Sequence, residues 1–292
     1  MKIAVIGATG NTGRAAVREL RALGEDPLCV VRNADKAREV LGGDAQIAIA
    51  ELTDRAALEK ALKGIKSVLV VTGHNPQLDE QQINTLEAAK AAGVEFFAKI
   101  SGGRAVVGPD AESIVGRCHY RVEEAMKTSG LGWVILRPGL FMQNTLMQAP
   151  LIKSESKMVL PFPGDVPIAF VDTRDSGAVA AHVVRDPARH AGMTYEYTGN
   201  KSSFNEFANV FSEVLGRPIT YVQLSLQTAE ETLKARGTPD WLVTHQIAVA
   251  RIAANAGFSA ENTQPILEIA GRRPFTIDQF VEDHKAAFLT VS

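Results

Sequence analysis

Six short apolar runs punctuate the first half of the chain, at residues 2–6, 27–32, 45–50, 67–72, 95–101 and 132–137. Each is bounded by turn residues or charges and is too short for a buried helix, so each reads as a strand covered on both faces. Between them the spacing predicts helices over 12–23, 36–41, 55–62, 80–92 and 115–129, closed by glycines at 24, 42, 64, 93 and 130. Strands separated by single helices must pair in parallel through right-handed crossovers. The fold class expected is α/β, a doubly wound parallel sheet with helices on both faces.

The first of these turns is rich in glycine. MKIAVIGATGNTG runs from a strand into a helix with Gly7, Gly10 and Gly13 at the spacing of a dinucleotide fingerprint. Gly7 allows the sharp turn, Gly10 allows close approach of a pyrophosphate to the backbone, and Gly13 allows the helix to pack tightly. Free N–H groups at the helix start, with Thr9, Asn11 and Thr12 around them, then face the phosphate. The nucleotide domain is thus expected to be of Rossmann type. The second strand ends at Arg32, where a site selective for NAD(H) would place an acid. A guanidinium there grips a 2'-phosphate, so NADP(H) is expected in preference to NAD(H). Along the same edge, Glu51 and Leu52 are expected to border adenine, Val71, Thr72 and Gly73 the riboses, and Ile100 and Ser101 the nicotinamide.

Regularity ends after Pro138. Residues 153–175 carry three prolines and read as loop-rich, followed by a helix over 176–184, a strand over 193–199, helices over 204–215 and 226–236 around a strand at 219–224, and a last helix over 276–288. The expected division is a nucleotide domain over 1–150, to which 170–200 returns, and a smaller, mostly helical substrate lobe woven from segments of 151–292.

The remaining bounds are mostly exclusions. A formal net charge of −2, with Lys and Arg scattered, offers no basic field for nucleic acid. No stretch approaches the ~20 apolar residues of a membrane span, and no metal-ligand spacing is present. Two cysteines, Cys29 and Cys118, suit a reducing compartment, so the expected location is cytoplasmic. Flanking helices could pair into a homodimer, although no apolar stripe argues for it.

GATGNTG with Arg32, the block HYRVEEAMKTSGLGWVILRPGLFMQN, IAFVDTRD and GRRPFTIDQFVEDH together resemble the NmrA-like branch of the atypical short-chain dehydrogenase/reductases. The similarity is greatest to the bacterial quinone and dye reductases, and it spans almost the whole chain. It implies a small-molecule acceptor, a quinone or dye, held in a cleft between the nucleotide domain and the carboxyl-terminal lobe.

Short-chain dehydrogenases usually carry a YxxxK pair for proton transfer. Here Glu124, not Lys, follows Tyr120 by four residues; aligned through Glu123, Val115 and His119 occupy the two positions. Direct hydride transfer to a conjugated acceptor, which delocalises the charge it receives, requires no such pair. The candidate catalytic residues are His119 and Ser101. Candidate acceptor contacts are Phe141, Met142, Gln143 and Asn144 after the last main strand, with His74 in the loop after the fourth. Dinucleotide binding without turnover, reporting redox state to a protein partner, is the competing expectation.

Overall fold

The computed structural model describes residues 1–289. Strands β1 (Ile3–Ile6), β2 (Leu28–Val31), β3 (Ile47–Ile49), β4 (Ser67–Val70), β5 (Phe96–Ile100) and β6 (Gly132–Pro138) alternate with helices α1 (Asn11–Ala22), α2 (Ala34–Leu41), α3 (Arg55–Leu62), α4 (Leu78–Ala91) and α5 (Ile114–Lys127). After β6 come β7 (Leu140–Phe141), a 3-10 stretch over Met142–Gln148, α6 (Ala149–Glu155), β8 (Lys157–Leu160), β9 (Ile168–Val171) and α7 (Thr173–Arg185), and then, beyond a one-turn helix, β10 (Met193–Tyr197).

The main sheet has the order β10-β6-β5-β4-β1-β2-β3, and every neighbouring pair is parallel. This is the doubly wound Rossmann-type α/β fold that the alternation requires. Strand order reverses between β1 and β4, which opens a crevice at the carboxyl ends of those strands. One apolar layer joins α1, α2 and α7 to the sheet, and a second joins α3, α4 and α5 to its other face.

Residues 173–197 rejoin the main body, with β10 pairing along β6 from Met193 to Tyr197 and Val179, Ala180 and Val183 of α7 buried with Ala16 and Leu20 of α1. The helix Gln264–Ala270 also packs there, burying Ile266 and Ile269 in the same layer.

The lobe has its own apolar core, built around Phe170, Phe204, Phe207, Phe211, Phe280 and Phe288. The expected last helix is two pieces: an α-helix over Ile277–Asp283, opened by a Thr276–Gln279 capping box, and a 3-10 turn over Lys285–Ala287. At the break, His284 Nδ1 lies 2.8 Å from the Phe280 carbonyl oxygen. Among the described residues no helix is long and apolar enough to cross a membrane.

Candidate active site

The turn after β1 is shaped by contacts that only glycine tolerates. Gly7 has φ 80°, and a Cβ there would fall 1.7 Å from the Val71 carbonyl oxygen at the end of β4. A Cβ on Gly13 would lie 2.2 Å from the Gly7 carbonyl oxygen, so the first turn of α1 rests directly on the loop. Gly10 differs: a Cβ would have only the Gly7 oxygen near it, at 3.5 Å, and open space beyond. It is also the N-cap of α1, and no side chain caps that helix. Unclaimed N–H groups, a positive helix end and an open approach at Gly10 together fit a pyrophosphate.

At the tip of β2, Arg32 is exposed. The nearest acid in sequence, Asp35, pairs with Arg38 at 3.6 Å, and Asn33 caps α2 by accepting from the Lys36 N–H. Further along this edge Glu51 is exposed and Leu52 half-buried. Thr72 accepts a hydrogen bond from Gln82 at 2.6 Å.

At the end of β5 lies a buried polar cluster. Lys99 is fully buried; its Nζ donates to Gln82 Oε1 at 2.7 Å, lies 2.8 Å from His119 Nδ1, and reaches the Ile100 carbonyl at 3.5 Å. Burial pushes this lysine down to about 7, although Glu123 and Cys118 pull it upward. Burial, then the charge of Lys99, then His74, His245 and Arg137 hold His119 well below the ordinary histidine value. A neutral His119 whose Nδ1 accepts from an ammonium carries its proton on Nε2, and that atom has no protein partner.

Three walls meet around this imidazole. Gly102 lies over it, where a Cβ would stand 3.2 Å from Cδ2 and 3.8 Å from Nε2. The His74 ring stands edge-on to His119 at 5.7 Å and to His245 at 4.9 Å. His245 belongs to the lobe helix Asp240–Ala254 and is hydrogen-bonded, at 2.7 Å, to Ser113, the N-cap of α5. His74 reaches solvent, yet the walls around it and the Lys99 charge lower its pKa.

One turn further along the same face of α5, Ser101 donates to Glu123 Oε1 at 2.6 Å. Arg137 binds Glu123 through Nε and Nη2, and Glu196 of β10 through Nη1 at 3.1 Å. Among the described residues no group of His, Cys, Asp and Glu could hold a metal ion.

The sequence profile of the NmrA-like family matches residues 1–278. This chain belongs to the NmrA-like family. Over 98% of its length it is 32% identical to the NAD(P)H azoreductase of Xenophilus azovorans, covering 99% of that protein. It is 29% identical to quinone oxidoreductase 2 of Escherichia coli, over 96% of this chain and 97% of that one. The structure of the Escherichia coli NADPH-dependent quinone oxidoreductase complexed with NADPH superposes with a TM-score of 0.84, at 28% identity, over 96% of this chain and 99% of that one.

Within this NmrA-like chain, the residues singled out from sequence are distributed unevenly. Gly7, Gly10, Gly13, Val71, Thr72 and Arg32 share the crevice edge. Ser101 lies one strand further along, after β5, and His119 on α5, each already bonded to a charged partner. Phe141 is half-buried and Asn144 exposed. Met142 packs wholly inside the lobe core. Gln143 uses both ends of its amide, donating to Asp172 at 2.9 Å and accepting from the Thr173 N–H at 3.0 Å. Sequence reasoning missed Lys99 and Gln82. The available signal was a lysine in the middle of FFAKIS, a strand with no exposed face.

Proposed function

We propose that this chain is an NADPH-dependent reductase that passes hydride directly to a quinone or a similarly conjugated acceptor. The chain is a nicotinamide-dependent oxidoreductase of its family; the acceptor class, the choice of coenzyme and the route of hydride are the substance of the proposal. The observation that carries it is the cationic tip of β2, where Arg32 stands exposed and apart from the Asp35–Arg38 pair, one strand from the glycine turn. A guanidinium in that place favours an adenosine bearing a 2'-phosphate.

Bound along the crevice, the nicotinamide supplies hydride from its C4 position. The protein supplies position. Gly7, Thr9, Gly10, Asn11, Thr12 and Gly13 hold the pyrophosphate end, and Glu51 and Leu52 border the adenine. Val71, Thr72 and Gly73 flank the riboses, and Ile100 and Ser101 close the nicotinamide end. Phe141, Asn144 and His74 face the acceptor, with Met142 and Gln143 fixing the backbone beneath them. Val115 is buried where a short-chain dehydrogenase would place its tyrosine, which supports acceptors that delocalise incoming charge. The azoreductase and quinone oxidoreductase activities named for its relatives support the same class.

The test is rapid-mixing oxidation of NADPH against benzoquinone, a conjugated dye and an aliphatic ketone. Turnover with the first two and none with the ketone is expected. Arg32→Asp should weaken NADPH binding about 10- to 100-fold, the range for a lost charge-assisted pair, and NADH binding by far less. Equal losses for the two coenzymes would place the phosphate elsewhere. Tight NADPH binding with no turnover of any acceptor would instead mark a redox sensor.

A further inference from the structure

The buried polar cluster at the end of β5 has more machinery than hydride transfer needs. A lysine cut off from water is retained on a central strand, with its ammonium hydrogens directed at Gln82, His119 and the Ile100 carbonyl. The imidazole it touches presents Nε2, buried and unpartnered, where Gly102, His74 and the lobe's His245 converge. A buried donor without an acceptor is a cost that a ligand can relieve.

We propose that His119 is a catalytic proton donor to the acceptor and that Lys99 is the positioning residue that refills it, so that the site reduces acceptors which take up a proton along with the hydride. This rests on the reductase reading above. The balance is simple. An azo dye accepts hydride on one nitrogen and a proton on the other, giving the hydrazine; a quinone gives the hydroquinone by the same count. The His119 Nε2–H bond breaks and its electron pair stays on Nε2. A Lys99 Nζ–H proton moves to Nδ1, leaving a neutral amine and a neutral imidazole. The proton is replaced from solvent between turnovers, on the side where His74 reaches water.

The groups facing the pair come from five elements besides β5. Gln82 lies on α4, Cys118 and Glu123 on α5, His74 on the loop after β4, Arg137 on β6 and His245 on the lobe helix. Glu123 is already bound by Arg137 and Ser101, so it supports the Lys99 charge without competing for its proton. Gln82 donates to Thr72 and accepts from Lys99; an amide fixed at both ends orients the amine and passes no proton.

A cationic triarylmethane dye provides the control, because hydride alone completes its reduction. In single-turnover NADPH oxidation by the full chain, His119→Gln should slow methyl red about 100-fold, the usual weight of a general acid. The ratio of the methyl red rate to the crystal violet rate should then fall at least tenfold. The unmutated protein should lose rate on methyl red as pH rises through about 7, where the Lys99 ammonium is lost, and Lys99→Met should remove that step. Equal losses on both dyes, or an unaltered pH profile in Lys99→Met, overturn the proposal. Independently of turnover, nitrogen NMR of the histidines should find His119 protonated at Nε2, with shifts that follow Lys99 and lose that midpoint in Lys99→Met. An Nδ1-protonated ring also overturns it. Should the unmutated protein reduce neither the dyes nor benzoquinone, the reductase reading fails and takes the donor role with it; turnover of both dyes with equal losses, or of benzoquinone but neither dye, removes the donor role alone.

Discussion

Lys99 illustrates how a single side chain can oppose the fold that surrounds it. Its ammonium is held at about 7 instead of the ordinary 10.5, so the unfolded chain binds the extra proton over that interval and stability rises with pH across it. Below about pH 7 the buried charge costs about 5 kcal/mol, falling toward zero near pH 10. Lys99→Met removes this cost but strands the Gln82 carbonyl and His119 Nδ1, a loss of about 2–4 kcal/mol. The variant should therefore melt higher than the unmutated protein at pH 6 and lower at pH 10. Thermal melts at the two pH values check this, and a difference of constant sign would mean that Lys99 is not the titrating group. The lysine was hard to find in the sequence because one charge within FFAKIS leaves the strand pattern intact. His119 was found because its spacing to Glu123 placed it at a position where related enzymes keep a functional lysine. The contact between the two joins a strand to a helix 20 residues away, and no local pattern encodes it.

At the scale of elements, the glycine turn and α1 separate two roles that one motif combines. A methyl on Gly13 would meet the Gly7 carbonyl oxygen, backbone against backbone, whereas a methyl on Gly10 has room. Gly13→Ala should thus destabilise the protein by several kcal/mol, even though alanine is the better helix former by about 1 kcal/mol. Gly10→Ala should melt only a few degrees below the parent, since alanine is the poorer N-cap by up to about 1 kcal/mol, and should still lose NADPH affinity by at least tenfold. Calorimetry beside coenzyme titration separates the two variants; parallel losses of stability in both would show that Gly10 serves packing and not ligand approach. These elements were legible because each short apolar run and each closing glycine acts locally. The predicted helix over 204–215 coincides with the observed one, fixed by the Ser203–Glu206 capping box. The end of the chain was less legible: 276–288 keeps a helical pattern throughout, yet the ladder stops at Asp283, after Phe280 and Val281 have entered the lobe core. Tertiary packing decides such ends. The acceptor wall was equally opaque, because FMQN gives no sign that Met142 turns into the lobe while Asn144 turns outward.

Over the whole molecule, the contact between domain and lobe is partly a matter of protonation. His245 projects from the lobe helix to Ser113 at the start of α5, and Arg251 of the same helix pairs with Glu112 beside it. Burial, with a smaller contribution from His74, pushes His245 down to about 4. The unfolded chain therefore binds a proton between about 6.5 and 4 that the folded chain refuses, and stability falls as pH drops through this interval, by about 3 kcal/mol for this group. His119 acts in the same direction. Asp175 opposes them: burial raises it to about 6 despite Arg272 at 2.6 Å, so its contribution weakens as pH rises from about 4 to 6. One histidine is thereby offset, the other is not, and Lys99 adds to the rise above pH 7 until Cys29, raised by burial to about 11, opposes it from about pH 9. These buried groups together place the stability maximum on the alkaline side of neutrality. His245→Gln retains an amide able to bond Ser113 and removes the titration. Its urea midpoint should change less between pH 7 and pH 4.5 than that of the unmutated protein, by the equivalent of about 2–3 kcal/mol. Equal changes in the two proteins would mean that His245 takes up its proton as readily in the folded chain as in the unfolded one, and that its seat against the domain is not what depresses it.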